Sequence, residues 1–178
     1  MPTYNENWYP DDKIDALVEL ARSTRDLPGS VIEIGAWEGR STTALMQAFS
    51  PDIVHVIDTW AGSPSDASFE LAKERDVYAT FLANIKEAGN NFCIHRSDWR
   101  VAFASWRPRL RFVHLDGEHT YEQVRDNIAA ALPLMVEDGI LCGDDYSVHW
   151  PGVRRAVEEV FGIGGFGVEC DALWWKRL

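Results

Sequence analysis

The sequence is short of cations, short of cysteine and free of long apolar runs. Its 17 lysines and arginines are outnumbered by 28 aspartates and glutamates, for a formal net charge of −11. A surface of that sign repels phosphate backbones and argues against a nucleic-acid partner. The one basic cluster, Arg107, Arg109 and Arg111, flanks Pro108 and reads as a solvated loop. Cys93, Cys142 and Cys170 form no CxxC pair and no zinc-ligand spacing, and each sits in an apolar, strand-like context expected of a buried free thiol. The 5 histidines are scattered and suggest no multi-histidine metal site. No stretch approaches the roughly eighteen apolar residues of a membrane span. The opening MPTYNENWYPDD lacks the cationic start and apolar run of a signal peptide, so a cytoplasmic chain without a membrane partner is expected. There is no GxGxxG fingerprint and no GKS or GKT of a phosphate-cradling loop.

What is present is an alternation of short β-branched runs and helical patterns. DDKIDALVELARSTRD carries Ile14, Leu17, Val18 and Ala21 at amphipathic-helix spacing, with Asp11 or Asp12 as a cap. SVIEIG, IVHVIDTW, NFCIHRSDW, RFVHLDG and ILCGDDY read as strands. STTALMQAF, the long ASFELAKERDVYATFLANIKEAG, YEQVRDNIAAALPLM and VRRAVEEVF read as helices. The helix YEQVRDNIAAALPLM is expected to run to a turn at Glu137-Asp138-Gly139, and Pro151 stands just ahead of the start of VRRAVEEVF. FGVECDALWWKRL reads as two β segments meeting near Asp171. This order implies a parallel sheet with helices on both faces, closed by an antiparallel hairpin, in one domain over residues 1–178 with an N-terminal helical region over 1–29. AGSPSDAS, residues 61–68, is the most loop-like stretch and is either a lid or a plain connection.

In such a sheet ligands bind beyond the carboxyl ends of the strands, so the residues that end each strand are the informative ones. The first strand ends with Glu33, then the glycine turn Gly35-Ala36-Trp37-Glu38-Gly39, with Ser41 just beyond. The second ends Asp58-Thr59-Trp60, where an acid suits two ribose hydroxyls. The third ends Ser97-Asp98-Trp99, a polar pair beside an aromatic that suits the edge and face of an adenine. The fourth ends Asp116-Gly117-Glu118-His119 and the fifth Gly143-Asp144-Asp145-Tyr146. A lone acid at a strand end is commonly a turn or cap residue, and Thr120 can cap the following helix. Acids at four strand ends on one edge make a site the better account. Asp116, Asp144 and Asp145 end neighbouring strands, and three converging carboxylates repel one another unless a cation sits between them. All-oxygen ligation is the preference of a hard ion such as Mg²⁺. His114, inside a strand, reads as a satisfied core histidine.

At these residues the chain resembles the class I S-adenosylmethionine-dependent methyltransferases, and among them the metal-dependent O-methyltransferases of the macrocin and novobiocin type, which act on sugar hydroxyls. The matching stretches are VIEIGAWEGRSTTAL, VIDTW, FVHLDGEHTYEQVRDNIAAALPLMVEDGILCGDDY and the terminal WWKRL. The resemblance implies a Rossmann-like three-layer α/β sandwich with a seven-stranded sheet whose last two strands form the antiparallel hairpin. It implies S-adenosylmethionine as cofactor and a divalent cation, Mg²⁺, as a second one. Glu33, Gly35, Gly39 and Ser41 would line the methionine part, Asp58 would hold the ribose, and Asp98 and Trp99 would lie near the adenine. Ala36, Thr59, Trp60, Ser97 and Asp116 belong to the same expected pocket. Asp116, Asp144 and Asp145 would hold the cation. The reaction would be in-line displacement at the sulfonium methyl by an acceptor oxygen. Asp116 and His119 are the candidate bases, His119 for its solution pKa near neutrality, unless it caps the next helix. His149, Trp150 and Trp60 are placed to flank a small-molecule acceptor, a sugar or a catechol-like diol. The acceptor's identity stays open, and a homo-oligomer is compatible with the resemblance. A nucleotide-binding oxidoreductase and a non-catalytic cofactor-binding module are the alternatives.

Overall fold

The computed structural model describes residues 2–178. One sheet of seven strands runs in the order β3-β2-β1-β4-β5-β7-β6. β1 (Ser30–Ile34), β2 (Val54–Asp58), β3 (Phe92–Arg96), β4 (Leu110–Leu115) and β5 (Met135–Gly143) are parallel to their neighbours, while β7 (Leu173–Arg177) pairs antiparallel with both β5 and β6 (Gly167–Glu169). The expected architecture and its closing hairpin are therefore present. The chain reverses between β6 and β7 through Cys170 and Asp171, both with positive φ.

Two helical layers cover the sheet, and strand alternation decides which residue faces which. Val31, Val54, Val56 and Phe112 pack towards α1 (Asp11–Arg22), α2 (Arg40–Phe49) and α4 (Val77–Ala88), where Leu17, Leu45, Phe49, Phe81 and Ile85 are fully buried. Ile32, Ile34, Ile57, Val113 and Leu141 pack on the opposite side, towards α6 (Tyr121–Ala131), α7 (Pro151–Phe161) and Trp106. Each fully buried large apolar side chain contributes about 1.5–3 kcal/mol.

Several local expectations are corrected. The long helix after β2 is two helices, α3 (Ser68–Glu74) and α4, because Arg75 is extended and the Asp76 side chain caps α4 at Ala79 N, 3.0 Å away. A short α5 (Trp99–Ala104), capped by Asp98, lies between β3 and β4. α6 stops at Ala131, since Pro133 follows in a 3-10 turn, and β5 begins at Met135, so Glu137-Asp138-Gly139 lie within the strand. α1 is capped by neither Asp11 nor Asp12; both occupy its first turn, where carboxylates favour the positive helix end. Arg111 is not in a solvated loop: it is buried on β4, with its guanidinium on Asp52 at 2.7 Å. Of the cysteines only Cys142 is buried; Cys93 is half-buried, and Cys170 is exposed in the hairpin turn. The histidines are less scattered than the sequence implies, since His55 and His95 meet across β2 and β3. Among the described residues no helix is long and apolar enough to cross a membrane.

Candidate active site

The carboxyl ends of the parallel strands open into one cavity of about 600 Å³. Its walls include Gly35 and Ala36 from the β1–α2 turn, Ser41 from the first turn of α2, Asp58 and Thr59 at the end of β2, and Ser97, Asp98 and Trp99 after β3. Asp116 and His119 after β4, Asp144 and Asp145 after β5, and Trp150 complete the predicted set that lines it.

The β1–α2 turn owes its shape to two contacts. Gly35 has φ +86°, and a Cβ there would lie 1.9 Å from the Asp116 carbonyl oxygen. The glycine thus lets the ends of β1 and β4 come together. Asp58 then fastens the turn: Oδ2 accepts Ala36 N at 2.7 Å and Trp37 N at 3.1 Å, and Oδ1 accepts Trp60 N at 2.6 Å. Burial raises its pKa, against these three amide bonds, which lower it.

Asp116 and Asp145 converge with His119, while Asp144 stands outside that group and is held by Lys13. One carboxylate oxygen from Asp116, one from Asp145 and a ring nitrogen of His119 lie within 4.8 Å of one another. Burial, followed by the charges of Asp144 and Asp145, pushes Asp116 up to about 7. Asp144 is buried; Oδ2 is bound by Lys13 Nζ at 2.6 Å, and among the described residues Oδ1 has no partner. Asp145 has φ +63°, and Trp37 and Trp60, also at strand ends, have φ +48° and +55°. Non-glycine residues in that region cost of order 1–3 kcal/mol each and concentrate at functional sites.

His119 sits between two carboxylates. Nε2 lies 2.8 Å from Asp145 Oδ2, and Nδ1 lies 3.1 Å from Asp66 Oδ2. Both contacts are ion pairs of the imidazolium with a carboxylate. Burial alone would lower the pKa, but the two carboxylates outweigh it and lift it to about 10. The two carboxylates thus favour the charged ring at neutral pH. Trp150 packs over it, ring centroids 4.4 Å apart.

Four other expected residues lie away from the cavity. Glu33 is fully buried on the α2 side of the sheet, where it accepts from Thr42 Oγ1 and lies 3.3 Å from His114 Nδ1. His114 is the core histidine the sequence suggests, held on its far side by Tyr9 Oη at 3.2 Å. Gly39 serves packing, since a Cβ there would press on Phe81 and Ile85. Trp60 does not flank an acceptor: its side chain is buried against Tyr78 and Phe81, and its indole N–H donates to the Trp37 carbonyl. His149 is exposed on the loop before α7.

The residues the sequence did not offer come from outside the strand ends. Tyr4, Glu6, Trp8 and Tyr9 form a wall of the cavity, tied to the glycine turn where Glu38 accepts from Asn5 N and Asn5 Nδ2, both at 2.7 Å. Arg75 bridges Glu6 and Glu38 at 2.5 and 3.1 Å. Lys13 arrives from α1 and Asp66 from the 61–68 loop, which folds against the cavity through Gly62, Ser63 and Ser68. The polar, acidic character of 1–12 was the one available signal, and it names no partner.

Comparison with known proteins bears on the family and the fold. A family described as a methyltransferase domain matches residues 32–146. Among solved structures, the O-methyltransferase NovP superposes with a TM-score of 0.72 at 16% identity, covering 93% of this chain and 79% of that one. CalS11, a TDP-rhamnose 3′-O-methyltransferase of calicheamicin biosynthesis, gives 0.64 at 18% identity, over 92% of this chain and 78% of its own. An O-methyltransferase from Bacillus cereus, in complex with S-adenosylhomocysteine, gives 0.67 at 15% identity, over 96% and 84%. At these identities the likeness establishes the fold. No curated protein matches the sequence.

Proposed function

The chain belongs to the methyltransferase-domain family, and we propose that it transfers a methyl group from S-adenosylmethionine to a hydroxyl oxygen of a small molecule, assisted by a divalent cation. The observation that carries this reading is the shared cavity. It joins the glycine turn and Asp58 at one end to Asp116, Asp144 and Asp145 at the other. The donor's amino-acid part lies along Gly35, Ala36 and Ser41, its ribose near Asp58 and Thr59, and its adenine by Ser97, Asp98 and Trp99. A negatively charged rim favours a sulfonium over a phosphate-bearing ligand.

The acidic residues suit a hard cation. Asp144 Oδ1 is a buried oxygen without a partner, and Asp116 is held up near 7 by its acidic neighbours. Asp116, Asp144 and Asp145 would hold the ion, and Mg²⁺ fits their all-oxygen chemistry. Such an ion acts as a Lewis acid and a template, lowering the pKa of an acceptor hydroxyl and fixing its direction. The remaining work is positional. His119, charged between Asp66 and Asp145, fixes Asp145 and the 61–68 loop. Trp150 offers an aromatic face to the acceptor, and the wall formed by Tyr4, Trp8 and Tyr9 excludes water from the transfer. Of the two candidate bases, Asp116 would have to take the acceptor's proton on a carboxylate oxygen that the ion leaves free, because His119 is already held in its charged form.

Isothermal titration with S-adenosylhomocysteine and with NAD tests the reading. Binding of the first and not the second is expected, and the reverse would assign a dehydrogenase. Methyl transfer from labelled S-adenosylmethionine to a panel of sugar and catechol-like hydroxyls, with Mg²⁺ or with EDTA, separates an enzyme from a binding module.

A further inference from the structure

A second cluster of ligating side chains lies at the far edge of the sheet. His55 on β2 is paired in register with Cys93 on β3, and His95 stands two residues further along the same strand. Paired residues of parallel strands share a face, and so do residues two apart, so all three side chains project from one side. His55 Nδ1 and His95 Nε2 are 3.1 Å apart. With Cys93 Sγ, one nitrogen from each ring forms a set whose atoms all lie within 4.8 Å of one another. Trp106 packs edge-on to both rings, at 4.8 and 6.0 Å between centroids, and limits their rotation.

We propose that His55, Cys93 and His95 bind a thiophilic divalent cation of the zinc type, at a site separate from the acidic cavity. A tetrahedral ion with Zn–N bonds of about 2.05 Å holds two imidazole nitrogens roughly 3.3 Å apart, close to the spacing already present. Cys93 is half-buried, which leaves a path for the ion, and its sulfur would have to close from within 4.8 Å of the ring nitrogens to a bond of about 2.3 Å to the metal. The soft thiolate and two imidazoles select zinc over Mg²⁺, whereas the acidic cavity selects the reverse. On binding, the thiol releases its proton to solvent, and the imidazole that donates in the His55–His95 contact moves its proton to its outward nitrogen. The fourth position is left to water. The ion would pin β3, an edge strand, to β2, two residues before Ser97 enters the cavity wall.

Cobalt titration of the full chain under reducing conditions, followed by absorption, tests this. One equivalent of Co²⁺ is expected to give visible bands of a tetrahedral ion and a near-ultraviolet thiolate charge-transfer band, both displaced by Zn²⁺. Cys93→Ser should abolish the charge-transfer band, and His95→Gln, with unchanged circular dichroism, should weaken binding roughly tenfold or more. Cys170→Ser and Asp145→Ala should keep both bands, which separates this site from the exposed thiol and from the acidic cavity. Absence of a thiolate band in the parent, or its persistence in Cys93→Ser, overturns the proposal. Should Cys93→Ser not fold, an unchanged cobalt affinity in His95→Gln overturns it equally.

Discussion

Lys13 Nζ lies 2.6 Å from Asp144 Oδ2, with 9% and 5% of the two side chains exposed. A residue of the N-terminal helix thus reaches a strand end 131 positions away in sequence. Burial lowers the pKa of Lys13, but Asp144 more than restores it, so the ammonium is charged and partly balances the acidic cluster. It occupies one oxygen of Asp144 and leaves the other free. The pair couples the packing of α1 to the electrostatics of the cavity.

Removing that ammonium leaves a buried carboxylate without its partner, a change that typically costs about 3–5 kcal/mol. Lys13→Met is therefore expected to lower the unfolding free energy, extrapolated from urea titration in EDTA, by an amount in that range. Saturating Mg²⁺ should return part of the loss, because a cation on the acidic cluster replaces the missing charge. An equal loss with and without Mg²⁺ would mean that the ion does not reach Asp144.

Asp144→Asn with Asp145→Asn removes two of the three proposed ligands. Loss of outer-sphere partners of a metal commonly costs about 10–100-fold, so loss of two direct ligands should cost at least about 100-fold in methyl transfer. Affinity for S-adenosylhomocysteine, measured by titration, should stay close to that of the parent, since neither residue adjoins the glycine turn. Full activity in the double variant would remove the metal from the reaction.

Gly35→Ala sets a steric test. The added Cβ would overlap the Asp116 backbone, and the φ of +86° is unfavourable for alanine. The left-handed conformation alone costs about 1–2 kcal/mol, and the clash adds to it. Unfolding in urea should show a loss of at least about 2 kcal/mol, and titration should show weakened S-adenosylhomocysteine binding, since relief of the overlap moves the turn that Asp58 fastens.

The parts of this site that were legible in the sequence are those fixed by strand register. Asp58, Asp116, Asp144 and Asp145 each end a strand, and a parallel sheet brings such residues to one edge whatever else the chain does. The succession of strands and helices along the chain, and the closing hairpin, followed from the alternation of β-branched runs with helical patterns. Lys13 and Asp66 were not legible, because they reach the site by tertiary packing of a helix and a loop that carry no periodic signal of it. The charge state of His119 was only half legible, since it depends on Asp145 first and on Asp66 second. Glu33 and Trp60 were misplaced by one step of geometry: alternation turns Glu33 to the α2 face, and a positive φ at Trp60 turns its ring into the core. Helix boundaries failed where a single residue interrupts a continuous pattern, as at Arg75 and Pro133.

His119 and Asp66 make the pH dependence of stability specific. His119 has a folded pKa of about 10, above its ordinary 6.5, so its contribution is complete below pH 6.5 and is lost as pH rises through 10. Asp66 has a folded pKa of about 2, below its ordinary 3.8, despite burial, because of His119 and Ser68. Its contribution is complete above pH 3.8 and fades as pH falls through 2. The stability gap between the parent and His119→Gln should therefore be widest between these limits and shrink from pH 6.5 towards 10. A gap that grows over that alkaline range would show the ring to be neutral in the folded state.

The last prediction concerns the cation itself. Asp116 is pushed up to about 7, first by burial and then by Asp144 and Asp145. Below that pH it holds a proton in the place a metal would take, so metal binding must release the proton. Mg²⁺ affinity, measured by titration calorimetry, should rise with pH by close to a factor of ten per unit below 7 and level off above it. Heats measured in buffers of different ionisation enthalpy should report near one proton released per ion at pH 6 and few at pH 8. Asp116→Asn should flatten the profile while leaving Lys13 on Asp144. The raised pKa and the cation site have one physical origin, three carboxylates crowded at adjacent strand ends. A pH-independent affinity in the parent would therefore separate them and place the ion elsewhere.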